Sequence, residues 1–346
     1  MPAPFEAPAT QVAGASSFPY LVRGIRGDVR SVALRIRTLR APSRTSSRSH
    51  ALRRMTKAGI VTVAGFPNAG KSTLLNRLVG EKLAITSPKA QSTRHRIVGI
   101  RTEDDTQMVI LDTPGLLEPR DTLHTAMRAA ALAAVRDADV LVHVVDATQR
   151  IPASFHEAAG LDRAPRARII VALNKSDLLD DTQRNVLTRQ YPDAVLLSAA
   201  TSDGIADLVT AITNYLPESP YLYPDDELST QPIRFFCAEL IRETALEQLG
   251  DELPHALACV IEEYRENASP LYIRAVLHVE RDSQKRIVIG SNGQQIKKLG
   301  KSAREKIERL VGQPVYLDLW VKVLANWRKN PQAVRRLGYG EPGDRA

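Results

Sequence analysis

The sequence predicts an α/β domain on a doubly wound, mostly parallel sheet, followed by a smaller α+β domain. Three observations lead there. From residue 57 onward, short Val/Ile/Leu-rich runs alternate with helical stretches, as strands buried on both faces of a parallel sheet require. Near Pro217 this alternation stops at a proline-rich acidic stretch, and a different order of elements follows. Length agrees, because 346 residues exceed what one hydrophobic core usually organises.

Taken in order, residues 1–56 form a basic extension, rich in Arg, Ser, Ala and Pro and carrying a net +8 over residues 1–54. It reads as a disordered arm, as a transit peptide, or as sequence upstream of a true start at Met55; a disordered or spurious segment is preferred. The first domain spans 57–217. Its strands are expected at 59–64, 107–111, 140–145, 168–173 and 194–197, and its helices at 72–79, 122–134 and 203–215. Residues 218–231 form a linker, in which Pro217, Pro220, Pro224 and Pro232 bracket Asp225-Asp226-Glu227 and stiffen the chain. The second domain spans 232–339. It starts with a helix at 233–249 and strands at 255–263 and 271–281, followed by a short apolar run, 285–289. A Gly-containing loop, two short helices at 294–299 and 302–311 and a last strand at 315–323 complete it, leaving a tail, 340–346.

Composition removes several classes of function. Hydrophobic content of 43% with 25% charged residues excludes a wholly disordered, collagen-like or heptad-built chain. No run of about 18 apolar residues occurs, so no conventional membrane-spanning helix is expected. Cys237 and Cys259 are too few for a disulfide scaffold and lack metal-ligand spacing, which fits a reducing compartment. The overall +8 conceals an acidic middle, net −9 over 55–269, and a basic end, net +10 over 270–339. A polyanion is therefore expected to meet the far end of the chain.

Gly65-Phe66-Pro67-Asn68-Ala69-Gly70-Lys71-Ser72 fits the phosphate-loop pattern, follows a strand and opens a helix. Its glycines let successive N–H groups turn toward phosphate oxygens beside a helix N-terminus. Lys71 adds a charge for the β- and γ-phosphates, and the Ser72 hydroxyl can ligate Mg²⁺. Asp112-Thr113-Pro114-Gly115 ends the next strand. There an Asp can hold the water shell of the Mg²⁺ ion and the Gly115 N–H can sense the γ-phosphate, although Asp-x-x-Gly alone is a common turn. Asn174-Lys175-Ser176-Asp177 ends another strand. The Asp177 carboxylate can accept from guanine N1–H and its 2-amino group, whereas adenine would face it with a lone pair; such sites discriminate by factors on the order of 10⁴. Ser198-Ala199-Ala200 can offer a backbone N–H to guanine O6. Four motifs in this order, each at a strand's C-terminal edge, point to a GTP/GDP-binding P-loop domain.

In the second domain Gly290-Ser291-Asn292-Gly293 lies between an apolar run and a helix, as the Gly-x-x-Gly loop of a KH domain does. Paired glycines let the backbone approach the sugar-phosphates of about four nucleotides. A lone Gly-x-x-Gly is weak evidence, but Lys285, Arg286, Lys297, Lys298, Lys301 and Arg304 surround it. Trp320, Trp327, Phe235 and Phe236 are assigned to packing or strand-edge anchoring rather than to base stacking.

The phosphate loop through Thr73, the loop Gln91-Ser92-Thr93-Arg94-His95-Arg96 and the C-terminal domain together resemble the Era family of translation-factor-like GTPases, over about residues 57–339. The resemblance implies a P-loop GTPase domain followed by a type II KH domain. It implies that Thr93 completes the Mg²⁺ sphere when GTP is bound, with Ser92 the weaker candidate, and that Lys71, Thr93 and Gly115 carry the hydrolytic step. Leu116 stands where Ras-like enzymes place a Gln to orient water, so slow intrinsic hydrolysis is expected. Asn68 matches the residue that holds K⁺ against the phosphates in related GTPases. The family usually has a Lys inside the Gly-x-x-Gly loop, where this chain has Ser291-Asn292. The implied partner is the 3′ end of small-subunit ribosomal RNA, and the implied role is maturation of the 30S subunit. A monomeric cytoplasmic protein with peripheral contact at the inner face of the cell membrane is the further expectation. Against this enzyme stands a second reading, an RNA-tethering scaffold whose first domain binds nucleotide with little turnover.

Overall fold

The computed structural model describes residues 56–339, apart from 88, 90, 91, 117, 153 and 250–255. The expectations for residues 1–55, for Gln91, for a strand starting at His255 and for the tail 340–346 lie outside the described residues.

The first sheet holds β1 (Lys57–Ala64), β2 (Ile97–Glu103), β3 (Thr106–Asp112), β4 (Val140–Asp146), β5 (Arg168–Asn174) and β6 (Val195–Leu196). Their spatial order is β2-β3-β1-β4-β5-β6, and every pair is parallel except β2 with β3. Helices α1 (Lys71–Val79), α2 (Thr122–Arg136), α3 (Phe155–Ala159), α4 (Asp181–Gln190) and α5 (Ile205–Tyr215) complete the domain. Strands covered on both faces need apolar side chains at successive positions, and Val140, Leu141 and Val142 are all fully buried.

Three of these elements have no counterpart in the sequence expectations. The helix α4 buries none of its residues and so shows no apolar stripe; it is held by a capping box between Asp180 and Gln183. The five-residue α3 is too short for periodicity to register. In β2 the apolar run is broken by Gly99, where a Cβ would stand 2.6 Å from Val79 Cγ2 and 2.9 Å from Leu75 Cδ1. Close packing of α1 thus requires the residue that hides the strand.

The segment expected as a linker is laid along the β2 edge of the first sheet. Ile100 N donates to Leu228 O, Val98 N to Gln231 Oε1, and Gln231 Nε2 to Arg96 O. Gln107, fully buried, accepts from the N–H groups of Leu222 and Tyr223 and donates to Tyr223 O. These contacts pair an otherwise open strand edge.

The second sheet comprises β7 (Ala258–Arg265), β8 (Leu271–Val279) and β9 (Val315–Val323), with β7 antiparallel and β9 parallel to β8. Helices α6 (Ile233–Gln248), α7 (Asp282–Ile289) and α8 (Gln294–Val311) supply Cys237, Ile241, Val288, Leu299, Ala303 and Ile307 to its core. The order αββααβ is the expected KH arrangement. Two expectations are corrected here. The run 285–289 is the end of helix α7, whose start is capped by Gln284 Oε1 accepting from the Glu280 and Arg281 N–H groups. The two short helices are one, because Leu299, Ala303 and Ile307 keep a single buried stripe across Gly300.

Past β9, Trp327 is fully buried while Trp320, on edge strand β9, is 54% exposed and donates from Nε1 to Asp318 Oδ1. Packing therefore accounts for Trp327 and not for Trp320. A short helix α9 (Pro331–Arg336) then folds back. Its Ala333 and Val334, with Trp327, Leu337 and Tyr339, form one apolar cluster with Leu123 and Met127 of α2. Phe236 is buried and Phe235 packs edge-on to it, as expected. Among the described residues no helix is long and apolar enough to cross a membrane.

Candidate functional site

The β1–α1 turn lies at the C-terminal edge of the first sheet, beside the ends of β3 and β5. Gly70 adopts φ 95°, and a Cβ there would stand 2.1 Å from Asn174 Nδ2. Only glycine allows the phosphate loop and the β5 end to approach so closely. Asn174 Nδ2 donates to Ala69 O at 2.7 Å, tying the two motifs together. Pro67, Asn68, Gly70, Lys71, Ser72 and Thr73 line a cleft of about 490 Å³, with Gly115 and Lys175 on its other walls. Phe66 is 44% exposed at its rim, and Gly65 O accepts from the Leu116 N–H.

Inside the cleft three oxygens converge. Ser72 Oγ lies 2.6 Å from Thr93 Oγ1 and donates to Asp112 Oδ2 at 2.7 Å, while Thr93 Oγ1 lies 3.3 Å from the same carboxylate oxygen. The other oxygen, Asp112 Oδ1, is buried without a hydrogen-bond partner among the described residues. Burial pushes the Asp112 carboxyl up to about 6 against the pull of Lys71. Burial likewise pushes the Lys71 ammonium down to about 8, and its Nζ donates to the loop's own Phe66 O at 2.8 Å. Both shifts reflect charged groups deprived of water. Two hydroxyls and a carboxylate with an unsatisfied oxygen are hard donors that fit Mg²⁺. Thr113 Oγ1 donates to Val63 O and Pro114 is buried, which fastens the turn after β3.

The motifs expected to face the base also assemble. Lys175, at φ 69°, donates from Nζ to Asp146 Oδ2 at 2.6 Å. Asp177 Oδ1 accepts from Ser198 Oγ at 2.6 Å, and Ser176 is buried with its N–H on Leu197 O. The Ala199 N–H, expected for guanine O6, donates to Asn174 Oδ1 at 2.9 Å, so it reaches a base only by sharing. Asp146 was not singled out by sequence reasoning, although its place at the end of β4 is the same kind of signal. Thr86 and Ser87, which also line the cleft, carry no sequence signal at all.

In the second domain Gly290 adopts φ 73° and a Cβ there would stand 2.6 Å from Gln295 Cβ. Ser291 and Asn292 are exposed at the tip and Gly293 opens α8. Arg286, Lys297, Lys298 and Lys301 are exposed around this turn, and Lys285 is half-buried. Arg304 lies 3.7 Å from Glu308. A larger cleft, about 640 Å³ and lined by Arg94, Met127, Phe235 and Tyr339 among others, lies between α2, α6 and β7 and holds none of the nucleotide motifs.

Residues 60–175 match the family model described as 50S ribosome-binding GTPase, and residues 252–328 match the KH domain model. The chain is 41% identical over 293 residues to GTPase Era of Carboxydothermus hydrogenoformans, covering 82% of this chain and 98% of that one. It is 40% identical over 296 residues to GTPase Era of Pseudomonas putida, covering 83% and 98%. Among solved structures, a variant of Aquifex aeolicus Era bound to GDP and AlF₄⁻ superposes with a TM-score of 0.77 at 36% identity, covering 83% of this chain and all of that one. The same figures hold for Era in complex with MgGDPNP and nucleotides 1506–1542 of 16S ribosomal RNA.

Proposed function

Because the chain belongs to the GTPase Era family, we propose that it hydrolyses GTP in the Lys71 cleft and binds the 3′ region of small-subunit ribosomal RNA through its KH domain, in assembly and maturation of the 30S subunit. The observation that carries the reading is the meeting of Ser72, Thr93 and Asp112 oxygens next to the Lys71 ammonium. In this reading residues 57–217 are the GTPase domain, 218–231 the connector and 232–339 the KH domain.

Backbone N–H groups of residues 68–73 cradle the phosphates, and Lys71 leaves Phe66 O to meet the β- and γ-phosphates. Ser72 and Thr93 would hold Mg²⁺ directly and Asp112 through water, supplying charge where the γ-phosphate leaves. The Gly115 N–H reports the γ-phosphate. Lys175 and Asp177 frame the guanine, with Ser198 orienting the Asp177 carboxylate. Leu116 is 2% exposed and apolar, so it orients no water and intrinsic turnover is slow. Asn68 would hold K⁺, supplying charge that an arginine finger otherwise brings. Equal turnover in Na⁺ and K⁺ buffers, with or without RNA, rules this out, and Asn68→Ala should lose only the K⁺-dependent part.

On the KH side, the Gly290–Gly293 turn and the lysines Lys285, Lys297, Lys298 and Lys301, with Arg286, meet the RNA backbone. A monomeric cytoplasmic protein with peripheral contact at the inner membrane face completes the proposal, and co-sedimentation with anionic vesicles tests the last part. Leu116 also favours the second reading, a tethering scaffold with little turnover. Single-turnover GTP hydrolysis with and without the RNA separates the two: release of phosphate under either condition supports the enzyme, and none under both supports the scaffold. Crosslinking of bound RNA in GTP and GDP states identifies the partner.

A further inference from the structure

The loop that carries Thr93 to the cleft is fastened on its other side to the second domain. Ser92 O accepts from Arg242 Nη2, and Arg94 Nη1 donates to Leu257 O at 2.7 Å. Both neighbours of Thr93 are therefore tied to the KH side, while its hydroxyl faces Ser72 and Asp112. Arg242 is itself held rigidly. Its Nε and Nη2 donate to Glu239 Oε1 and Oε2 at 2.9 and 2.7 Å, both residues lie one α6 turn apart, and Arg242 is 1% exposed. The next residue, Glu243, holds the start of the same loop: Oε1 accepts from Thr86 N at 3.2 Å and Oε2 from Lys82 Nζ at 2.9 Å. Lys306 of α8 also donates to Glu243 Oε2, at 3.1 Å. One helix of the RNA-binding domain thus grips the loop at both ends and is in turn bonded to the helix that opens at Gly293.

Burying a guanidinium is costly unless it is paired, and the Glu239 carboxylate takes Nε and Nη2, while Nη1 stays buried without a partner among the described residues. The bond to Ser92 O is additional to the ion pair, which argues that the Arg is placed for the loop. An aliphatic residue at 242 would fill the same space without reaching that carbonyl. We propose that Arg242 is a positioning residue for GTP hydrolysis, with Glu239 orienting it. By holding the Ser92 carbonyl it sets Thr93 Oγ1 against Ser72 and Asp112. The proposal rests on the GTPase reading above and adds the residue through which the KH domain acts on that site.

The test compares two variants of the full chain that each remove the ion pair. Glu239→Gln keeps Arg242 and its bond to Ser92; Arg242→Gln removes that bond. Turnover of GTP, the Mg²⁺ concentration for half-maximal turnover and the affinity for GDP are measured well below the melting temperature of each. Since displacing a reacting group by about 1 Å costs up to about 100-fold, Arg242→Gln should lower kcat about 10-fold or more and raise the Mg²⁺ requirement several-fold. Its GDP affinity should stay within about two-fold of wild type, because Thr93 acts only when the γ-phosphate is present. Glu239→Gln should lose no more than about three-fold, a share of that effect. A purely structural ion pair predicts the same behaviour from both variants, and that result overturns the proposal. Should Arg242→Gln fail to fold, Arg242→Lys keeps the buried cation without the fork that serves Glu239 and Ser92 together, and it is held to the same outcomes. A wild-type chain that binds GTP without hydrolysing it overturns the reading beneath the proposal. A wild type that turns over, with the two variants alike, overturns the proposal alone.

Discussion

At the scale of single residues, the nucleotide site stands apart because its charges are underpaired, and His143 repeats that theme away from the site. His143 sits in β4 with its ring edge-on to Phe155 and Nε2 buried without a partner among the described residues. Burial lowers its pKa from 6.5 to about 4. Between those values the unfolded chain binds a proton that the folded chain refuses, so stability falls as pH drops from about 6.5 toward 4. His143→Leu should flatten that part of the stability–pH curve, read by urea denaturation at several pH values. An unchanged slope would place the acid sensitivity elsewhere. Base recognition is also a single-residue matter. In the proposed reading the Asp177 carboxylate meets the base, and Ser198 Oγ, which donates to its Oδ1, holds it in place. Asp177→Asn presents an NH₂ donor toward guanine N1–H, and the preference for GTP over ATP should fall by about two or more orders of magnitude. Competition against a fluorescent GDP analogue measures it.

At the scale of elements, what was legible followed periodicity and motif context. The five parallel strands and α1, α2 and α5 were readable because their apolar residues recur at the required spacing, and the phosphate loop because its glycines have one conformational purpose. The turn at Asp112 was readable only in company with the others. Hidden were α4, which has nothing buried, β2, whose run is interrupted by Gly99, and α7, whose Ile287 and Ile289 resemble a strand until its capping is seen. The grip of α6 on the Thr93 loop was invisible, because Arg242 lies 150 residues from Ser92 and carries no motif of its own. For α7 and α8 the structure sharpens expectations about RNA. Gly290→Ala would force a Cβ to within 2.6 Å of Gln295 Cβ at φ 73°, so the turn must shift, and RNA affinity should drop more than thermal stability does. Lys297 is exposed and contacts phosphate alone in this reading. Lys297→Ala should therefore weaken binding to all sequences alike and reduce the salt slope by about one unit. A slope equal to that of wild type would place the RNA path along the loop instead.

At the scale of the whole molecule, the described residues carry two sheets but not two independent bodies. Domains joined by a small polar contact move and melt separately, whereas a hydrophobic one makes them cooperative. Here the apolar contact is built around Trp327, fully buried, with its ring stacked 5.7 Å from Tyr339 and its Nε1 donating to Ala256 O at 2.9 Å. Leu123 and Met127 of α2 press on the same cluster, and Thr122 Oγ1 donates to Lys329 O. The connector adds to this near its end, where Leu228 O accepts from Ile100 N and the Gln231 side chain bonds to Val98 N and Arg96 O. Unfolding should then be a single transition in which calorimetry, far-UV circular dichroism and tryptophan fluorescence coincide. Fluorescence is informative because Trp320 is already 54% exposed, leaving Trp327 to report the contact. Trp327→Ala removes the centre of the cluster and, at the usual cost of about 3–5 kcal/mol for a buried aromatic, takes most of the coupling with it. The transition should split, with the six-stranded half retaining its GDP-dependent stabilisation and the KH half melting first. A variant that melts in one step would mean that the connector and the α6 grip suffice to join the two halves.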